Sequence, residues 1–374
     1  MSRSSPSPTA YARREAPASA VGRIRASVVG SVHPAVAARV RFAPSPTGRL
    51  HLGGALTAVV NRLFASKHDG SMLLRIDDTD ASRTVPGAEQ AIEADLMWLG
   101  LGWDEGPVRQ SARQDRYRDA AGLIGNDRFD GITLLREDGT ATYHLASVVD
   151  DADFGITRVY RGNDHRPNAD LHRRLHEALG TTPPEYVHHG LILGDDGKKL
   201  SKRAAGATVA SLRELGFPAD AVRAYLEELG VPRHDVHYDL QRIRRLAIDA
   251  IDSLSDDELA RLADAPPEVV PALRGARDLV EAHAIAESLL TAPVPERSEH
   301  PETLVRFHEL RERGDEALDQ ASAKEILREL KAVGGNLKSL RLALTGAERG
   351  PELWTVLVAL SRDEALRRAD AASS

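Results

Sequence analysis

Cysteine is missing from all 374 residues, which excludes disulfides, thiolate zinc sites and a thiol nucleophile. Long apolar runs are missing too. No stretch approaches the roughly 20 residues needed to cross a bilayer, so no membrane partner is expected and a cytoplasmic protein is the simplest reading. An excess of positive charge is also lacking: 49 Lys and Arg face 56 Asp and Glu, for a formal net charge of −7. The chain therefore has no global electrostatic footprint for coating nucleic acid, although a local basic patch on an acidic protein still binds phosphate. What it does have is 42% hydrophobic residues over a length that suits two or three domains. Residues 1 to 37 stand apart, built of Ser, Pro, Ala and Arg with Glu15 as their one acid. That bias fits a disordered leader or an upstream start, and a transit peptide shares it.

The informative stretch is RFAPSPTGRLHLGG, from Arg41 to Gly54. Alternation in AARVRF suits a buried strand, a Pro/Ser/Thr/Gly turn follows, and His51-Leu52-Gly53-Gly54 opens a helix. The helix shows in its spacing, with Leu56, Val59, Val60, Leu63 and Phe64 at i, i+3, i+4, i+7 and i+8. Strand, tight loop, helix is the unit of a parallel α/β sheet, whose ligands bind where that loop lies. Glycines there let a phosphate approach the free N–H groups of the helix. Taken alone, the glycine pair is ordinary turn chemistry.

A second strand is expected at Met72 to Ile76, ending in Asp77-Asp78-Thr79-Asp80. A helix from Pro86 carries Ala88, Ile92, Leu96 and Leu99 to a stop at Gly100 and Gly102, with Trp98 and Trp103 as packing residues. Another helix begins near Ala112. Ile132 to Leu135 and Tyr143 to Val149 read as strands about an Asp138-Gly139 turn. Arg166 to Leu179 reads as a helix and Val187 to Leu193 as a strand, which feeds Gly194-Asp-Asp-Gly-Lys-Lys-Leu-Ser-Lys-Arg203. From Gly206 onward the pattern is almost wholly helical and amphipathic.

The HLGG and KLSKR stretches together resemble the two signatures of class I aminoacyl-tRNA synthetases. The blocks RFAPSPTGRLHLGGALTAVVNRLFA, LLRIDDTDASR, YHLASVVDDADFGITRVYRGNDH and LILGDDGKKLSKR are similar, in order, to bacterial-type glutamyl-tRNA synthetase. The glutaminyl relatives tend to carry a different loop where this chain has Ala43 to Gly48. The resemblance implies a leader (1–37), a Rossmann-like (HUP-type) parallel-sheet catalytic domain (38–205), a stem-contact-like helical segment (206–245) and an anticodon-domain-like all-α region (246–374). It implies ATP binding by His51, Gly53, Gly54, Lys199, Leu200, Ser201 and Lys202, with His51, Lys199 and Lys202 catalytic. It places the amino acid against Arg41, Ala43, Ser45, Asp77, Tyr143, Ser147, Arg161 and Asp164. The family usually has Glu at Asp77 and Asn at Ser147, and Asn163-Asp164-His165 replaces Glu-Asp-His. Arg41 and Arg161 converging on one pocket suit an acidic side chain, since a guanidinium grips carboxylate in two-pronged fashion.

One block is missing. The family inserts a domain that grips the tRNA acceptor stem, often with a cysteine zinc site, between the QS-x-R-x-x-x-Y block (Gln110 to Tyr117) and Tyr143. Here AAGLIGNDRFDGITLLREDGTAT alone joins them. The expected activity is therefore ATP- and Mg2+-dependent activation of glutamate, or a close analogue, to an acyl-adenylate, without zinc and in a monomer. Because of the missing insert, transfer to a small amine or another non-standard acceptor is preferred over transfer to tRNA, standard or modified, with a catalytically silent binding or regulatory protein as the third reading.

Overall fold

The computed structural model describes residues 37–373 other than Asn126, Lys202, Arg203 and Pro295; residues 1–36 of the expected leader lie outside them. Strands β1 (Arg39–Phe42), β2 (Ser71–Ile76) and β3 (Glu105–Arg109) form a parallel sheet in the order β1-β2-β3. Helices α1 (Leu52–Lys67) and α2 (Ala88–Trp98) make the crossovers that parallel neighbours require. After α3 (Gln114–Ile124) come β4 (Arg128–Phe129) and β5 (Ile132–Thr133), a small antiparallel pair. Then follow α4 (Tyr143–Asp153), β6 (Arg158–Gly162), α5 (Ala169–Ala178) and β7 (Glu185–His189), with β6 and β7 parallel. β6 lies beside β1, where Thr157 N donates to Arg39 O at 2.8 Å and Arg39 N to Thr157 Oγ1 at 2.9 Å. The spatial order is thus β3-β2-β1-β6-β7. The chain winds away from β1 and later away from β6, and between the two the sheet opens a crevice at its carboxyl edge.

The apolar pattern accounts for most of this. Leu56, Val59 and Val60 of α1 are buried and Phe64 is partly so, while Leu63 from the same expected stripe is exposed. β2 is buried on both faces, as its continuous apolar run requires. Trp98 and Trp103 pack against the core as expected.

Other expectations are corrected. Tyr143 to Val149 is not a strand but the first part of α4. Every residue from Leu145 to Asp151 is buried, so no polar stripe reveals the helical period and the paired valines bias the run toward strand. The Asp138-Gly139 turn does form, with Arg136 N donating to Thr140 O at 2.8 Å and Leu135 bridging Ala141, but its returning arm ends before α4. Pro86 precedes α2, which starts at Ala88 behind a left-handed Gly87. Helices α3 and α5 begin at Gln114 and Ala169, each after a 3-10 turn. The strand expected from Val187 to Leu193 is split at Gly190 into β7 and β8 (Ile192–Leu193). A Cβ on Gly190 would sit 1.9 Å from the His234 carbonyl oxygen, because β8 pairs there with β9 (Val236–His237).

Beyond Gly206 the chain is helical as expected, through α6 (Val209–Glu214), α7 (Ala219–Leu229), α8 (Leu240–Ser253) and shorter helices ending with Arg362–Ser373. One apolar cluster joins α1 and the sheet to α6, α7 and the first half of α8, including Leu56, Leu74, Leu212, Val222, Ile243 and Ala247. Another gathers the C-terminal helices from Ile251 onward. Among the described residues no helix is long and apolar enough to cross a membrane.

Leu56 is fully buried where α1 meets the sheet and α7. Leu56→Ala is expected to lower the unfolding free energy by about 2–5 kcal/mol, read from denaturant titration.

Candidate active site

A cleft of about 670 Å³ opens at the carboxyl ends of β1 and β6. The loop after β1 forms one wall, from Ala43 through Ser45 to Gly54. Asp77, Tyr143, Arg161, Asp164, Lys199 and Leu200 complete it together with Arg41. Of the residues expected in the site, Ser147 is buried outside the cleft lining, Ser201 is exposed beyond it, and Lys202 lies outside the described residues.

At the nucleotide end, His51 caps α1. Its Nδ1 accepts from Gly54 N at 3.0 Å, which leaves Nδ1 unprotonated in this arrangement. A Cβ on Gly54 would lie 2.9 Å from Leu50 Cδ1, and one on Gly53 3.3 Å from His51 Nδ1, so a side chain at either position presses on this cap. The positive end of the α1 dipole points into the cleft, where an anion is favoured.

The lysine stretch forms a tight hairpin. Gly197 takes a left-handed φ of 69°, Gly194 N donates to Lys198 O at 2.8 Å, and Leu200 N returns to Ile192 O at 2.9 Å. The hairpin delivers Lys199 to the cleft, where its Nζ meets Asp164 Oδ2 at 2.6 Å. Burial works to raise the Asp164 carboxyl, but the Lys199 hydrogen bond and the charges of His165 and Lys199 outweigh it and hold it below the ordinary carboxylate value. The exit of the lysine stretch is fastened to His51's own neighbours, with Leu52 N donating to Ala207 O and Val209 N to Leu50 O, both at 3.0 Å. The glycine-bearing and lysine-bearing stretches thus face one cavity.

At the other end is a buried ion network that the sequence reading did not anticipate. Arg75, fully buried on β2, grips Asp77 through Nε (2.7 Å) and Nη2 (3.1 Å) and reaches Asp151 through Nη1 (2.9 Å). Asp151 also accepts from Arg41 Nε at 3.1 Å. Its neighbour Asp150 accepts from Gln110 Nε2 (2.8 Å), Arg113 Nε (2.9 Å) and the Tyr117 hydroxyl (2.9 Å). The QS-x-R-x-x-x-Y block is therefore the clamp on Asp150, and its Ser111 holds Asp78. Asp80 caps a short turn through Ser82. Burial pushes the Asp77 carboxyl up, only partly offset by Arg75. Burial also acts to raise Asp151, but Arg41 and Arg75 bring it below its ordinary value.

Arg161 is different. Its Nε donates to His188 Nε2 at 3.1 Å and its guanidinium lies 4.5 Å from the centre of the Tyr186 ring. Tyr143 favours its charge through a loose side-chain contact, yet neither Nη1 nor Nη2, both buried, makes a hydrogen bond of ordinary length and angle. Burial, reinforced by the positive charge of Arg41, lowers its pKa. Four arginines, Arg41, Arg75, Arg113 and Arg161, surround this end of the cleft, and the first three are paired with Asp77, Asp150 and Asp151. No carboxylate of the described residues pairs with the fourth. The Ser147 hydroxyl, one helical turn from both Tyr143 and Asp151, is likewise buried and unpaired.

One signal for the network was in the sequence: Arg75 within LLRI and two consecutive aspartates after SVV are charges inside apolar runs, which need opposite charges to be buried. Sequence alone does not say which charges meet.

The crevice and the two converging stretches define a class I aminoacyl-tRNA synthetase catalytic core. The model for class I tRNA synthetases (E and Q), catalytic domain, matches residues 37–126 and 121–256. Glutamate–tRNA ligase 1 of Rubrobacter xylanophilus is 35% identical over 423 residues, spanning 89% of this chain and 97% of that protein. Glutamate–tRNA ligase 2 of Paracoccus denitrificans is 32% identical over 454 residues, spanning 88% and 97%. The fold is also that of a glutamate tRNA ligase crystal structure from Elizabethkingia meningosepticum, with a TM-score of 0.73 at 24% identity over 90% of this chain and 99% of that one. The chain belongs to the glutamyl and glutaminyl family of class I tRNA synthetases, as a shortened, ligase-type member. Both alignments run longer than this whole chain, so the relatives carry residues that it lacks. The family match falls in two pieces meeting at 121–126, the junction of α3 with β4.

Two outcomes are expected. Asp164→Asn weakens the anchor of Lys199 and is expected to slow pyrophosphate exchange and raise the ATP KM, measured by steady-state exchange. Separately, burial drives His172 down to about 2 and His188 to about 4, with Arg161 contributing to both. Each stays neutral when folded and takes up a proton on unfolding. Their contribution to stability is therefore complete above about pH 6.5 and is lost as pH falls toward the folded-state values. His172→Gln is expected to flatten that decline in urea titrations between about pH 7 and 4.

Proposed function

We propose that the protein activates glutamate with ATP to glutamyl-adenylate and transfers the glutamyl group to tRNA. The observation that carries the first half is Arg161, whose two buried, unpartnered nitrogens await a carboxylate. A guanidinium left this way is expensive to bury, and a planar acid that takes both nitrogens relieves it. The glutamate side-chain carboxylate suits that place. Arg41 and Tyr143 flank it, with Ser147 buried a helical turn behind Tyr143, and Asp77, with Ala43 and Ser45 nearby, receives the ammonium group.

No side-chain nucleophile is needed. The α-carboxylate oxygen of glutamate attacks the α-phosphorus of ATP, the bond to the bridging oxygen breaks, and pyrophosphate departs with the electron pair. Catalysis is then positioning and charge neutralisation. The α1 N-terminus with Gly53, Gly54 and His51 suits the phosphates, and Lys199, beside Leu200 and Ser201, suits the leaving pyrophosphate. Lys202 is assigned the same task from the sequence. Mg2+ supplies further countercharge when bound to the triphosphate.

For the acceptor, the relatives are named as glutamate–tRNA ligases over nearly their full length, which supports tRNA. The small amine preferred from the sequence rests only on the short junction between α3 and α4 and finds no support in these comparisons. The test is glutamate-dependent exchange of labelled pyrophosphate into ATP, followed by charging of total tRNA. Exchange together with stoichiometric charging is expected. Exchange without charging would return the acceptor to another class, and no exchange would leave a binding protein. Arg161→Gln is expected to raise the glutamate KM by about tenfold or more with little change in the ATP KM.

A further inference from the structure

We propose that Arg75 is a positioning residue for amino-acid activation, fixing from behind the cleft both the Asp77 carboxylate and, through Asp151, the Arg41 guanidinium. This rests on the glutamate reading above and deepens it. Arg75 is fully buried and does not line the cleft. Its three nitrogens are committed to two carboxylates, Asp77 through Nε and Nη2 and Asp151 through Nη1. Asp77 follows β2 directly, whereas Asp151 belongs to α4 and Arg41 to β1. One guanidinium therefore sets the distance between an acidic and a basic group that both face the ligand.

Two observations separate this from plain structural burial. Asp151 places one oxygen, Oδ1, against both Arg41 and Arg75, while its Oδ2 has no partner. The shared oxygen ties the two arginines together at the expense of the other. Asp150, one residue earlier, is satisfied by Gln110, Arg113 and Tyr117 and stands 3.6 Å from Arg75 Nε, a looser contact. Structural anchoring and ligand positioning are thus divided between adjacent aspartates, and Arg75 serves mainly the second. Lysine cannot reproduce the grip, because an ammonium is a point charge without the planar fork.

The experiment compares Arg75→Lys with Tyr117→Phe in pyrophosphate exchange, with thermal midpoints recorded alongside. Arg75→Lys is expected to raise the glutamate KM by about tenfold, with the ATP KM unchanged. It is also expected to make the glutamate KM rise as pH falls from about 8 to 5, because Asp77 loses the two-pronged hydrogen bonds that favour its ionised form and a lysine ammonium replaces them only in part. Tyr117→Phe, which removes only the hydroxyl that bonds Asp150, is expected to lower the midpoint and leave the glutamate KM and its pH profile at wild type. An Arg75→Lys enzyme with wild-type glutamate KM and a flat profile overturns the inference. Should Arg75→Lys fail to fold, Asp151→Asn takes its place with the same expected rise in glutamate KM, and no rise overturns the inference. Wild-type protein that shows no exchange with glutamate overturns the activation reading and this inference with it, whereas wild-type exchange with unmoved variants overturns this inference alone.

Discussion

Charges inside a protein must be answered by opposite charges or by hydrogen bonds, and that constraint organises the ligand end of this molecule. Arg75 and Asp150 are fully buried, and Arg41, Asp77, Asp151 and Arg161 nearly so. An isolated ion of either sign would be strongly destabilising there. The network gives each of these charges except Arg161 an ion-pair partner within the protein, although Asp151 Oδ2 makes no hydrogen bond. It also adds polar ties beneath the cleft: α3 and α4, which already share an apolar cluster with Tyr117, Ala120, Leu145 and Val149 among its members, are joined further by Arg113 and the Tyr117 hydroxyl on Asp150, and Asp151–Arg75 joins α4 to the sheet.

The nucleotide end follows a different logic. It is built from backbone geometry, with a capped helix start, a hairpin turned by Gly197, and main-chain bonds that hold Ala207 and Val209 against Leu52 and Leu50. Side-chain chemistry enters mainly through His51, Asp164 and Lys199. The site thus sets an electrostatically determined half beside a half determined by chain path, and the two meet across the loop from Ala43 to Gly54.

Much of this was legible in the sequence. The strand–loop–helix beginning at Arg41 and the apolar face of α1 gave the doubly wound class. Short patterned stretches placed His51, Asp77, Arg161 and Lys199 on one cleft wall. What was not legible has physical causes. α4 is buried without a break from Leu145 to Asp151, so the alternation that distinguishes helix from strand was absent there. Gly190 interrupts a continuous apolar run for a tertiary reason, the approach of the His234 carbonyl. Arg75 sits inside LLRI, where composition flags an anomaly without naming a partner, and its partners come from residues distant in sequence. Leu63 shows the converse, an apolar residue on the expected stripe that no neighbouring element covers.

The continuity of α8 has its own thermodynamic meaning. Ile243 and Ala247 belong to one apolar cluster and Ile251, a turn later, to the other. Melting of either cluster strips half of the same rod of its packing and leaves the surviving half to carry a frayed end, since helical hydrogen bonds propagate from turn to turn. The two halves of the molecule are coupled through a shared backbone as well as through contacts such as Leu279 N donating to Gly216 O at 2.8 Å, and a chain severed between Ala247 and Ile251 would leave each fragment without the turn that completes its helix.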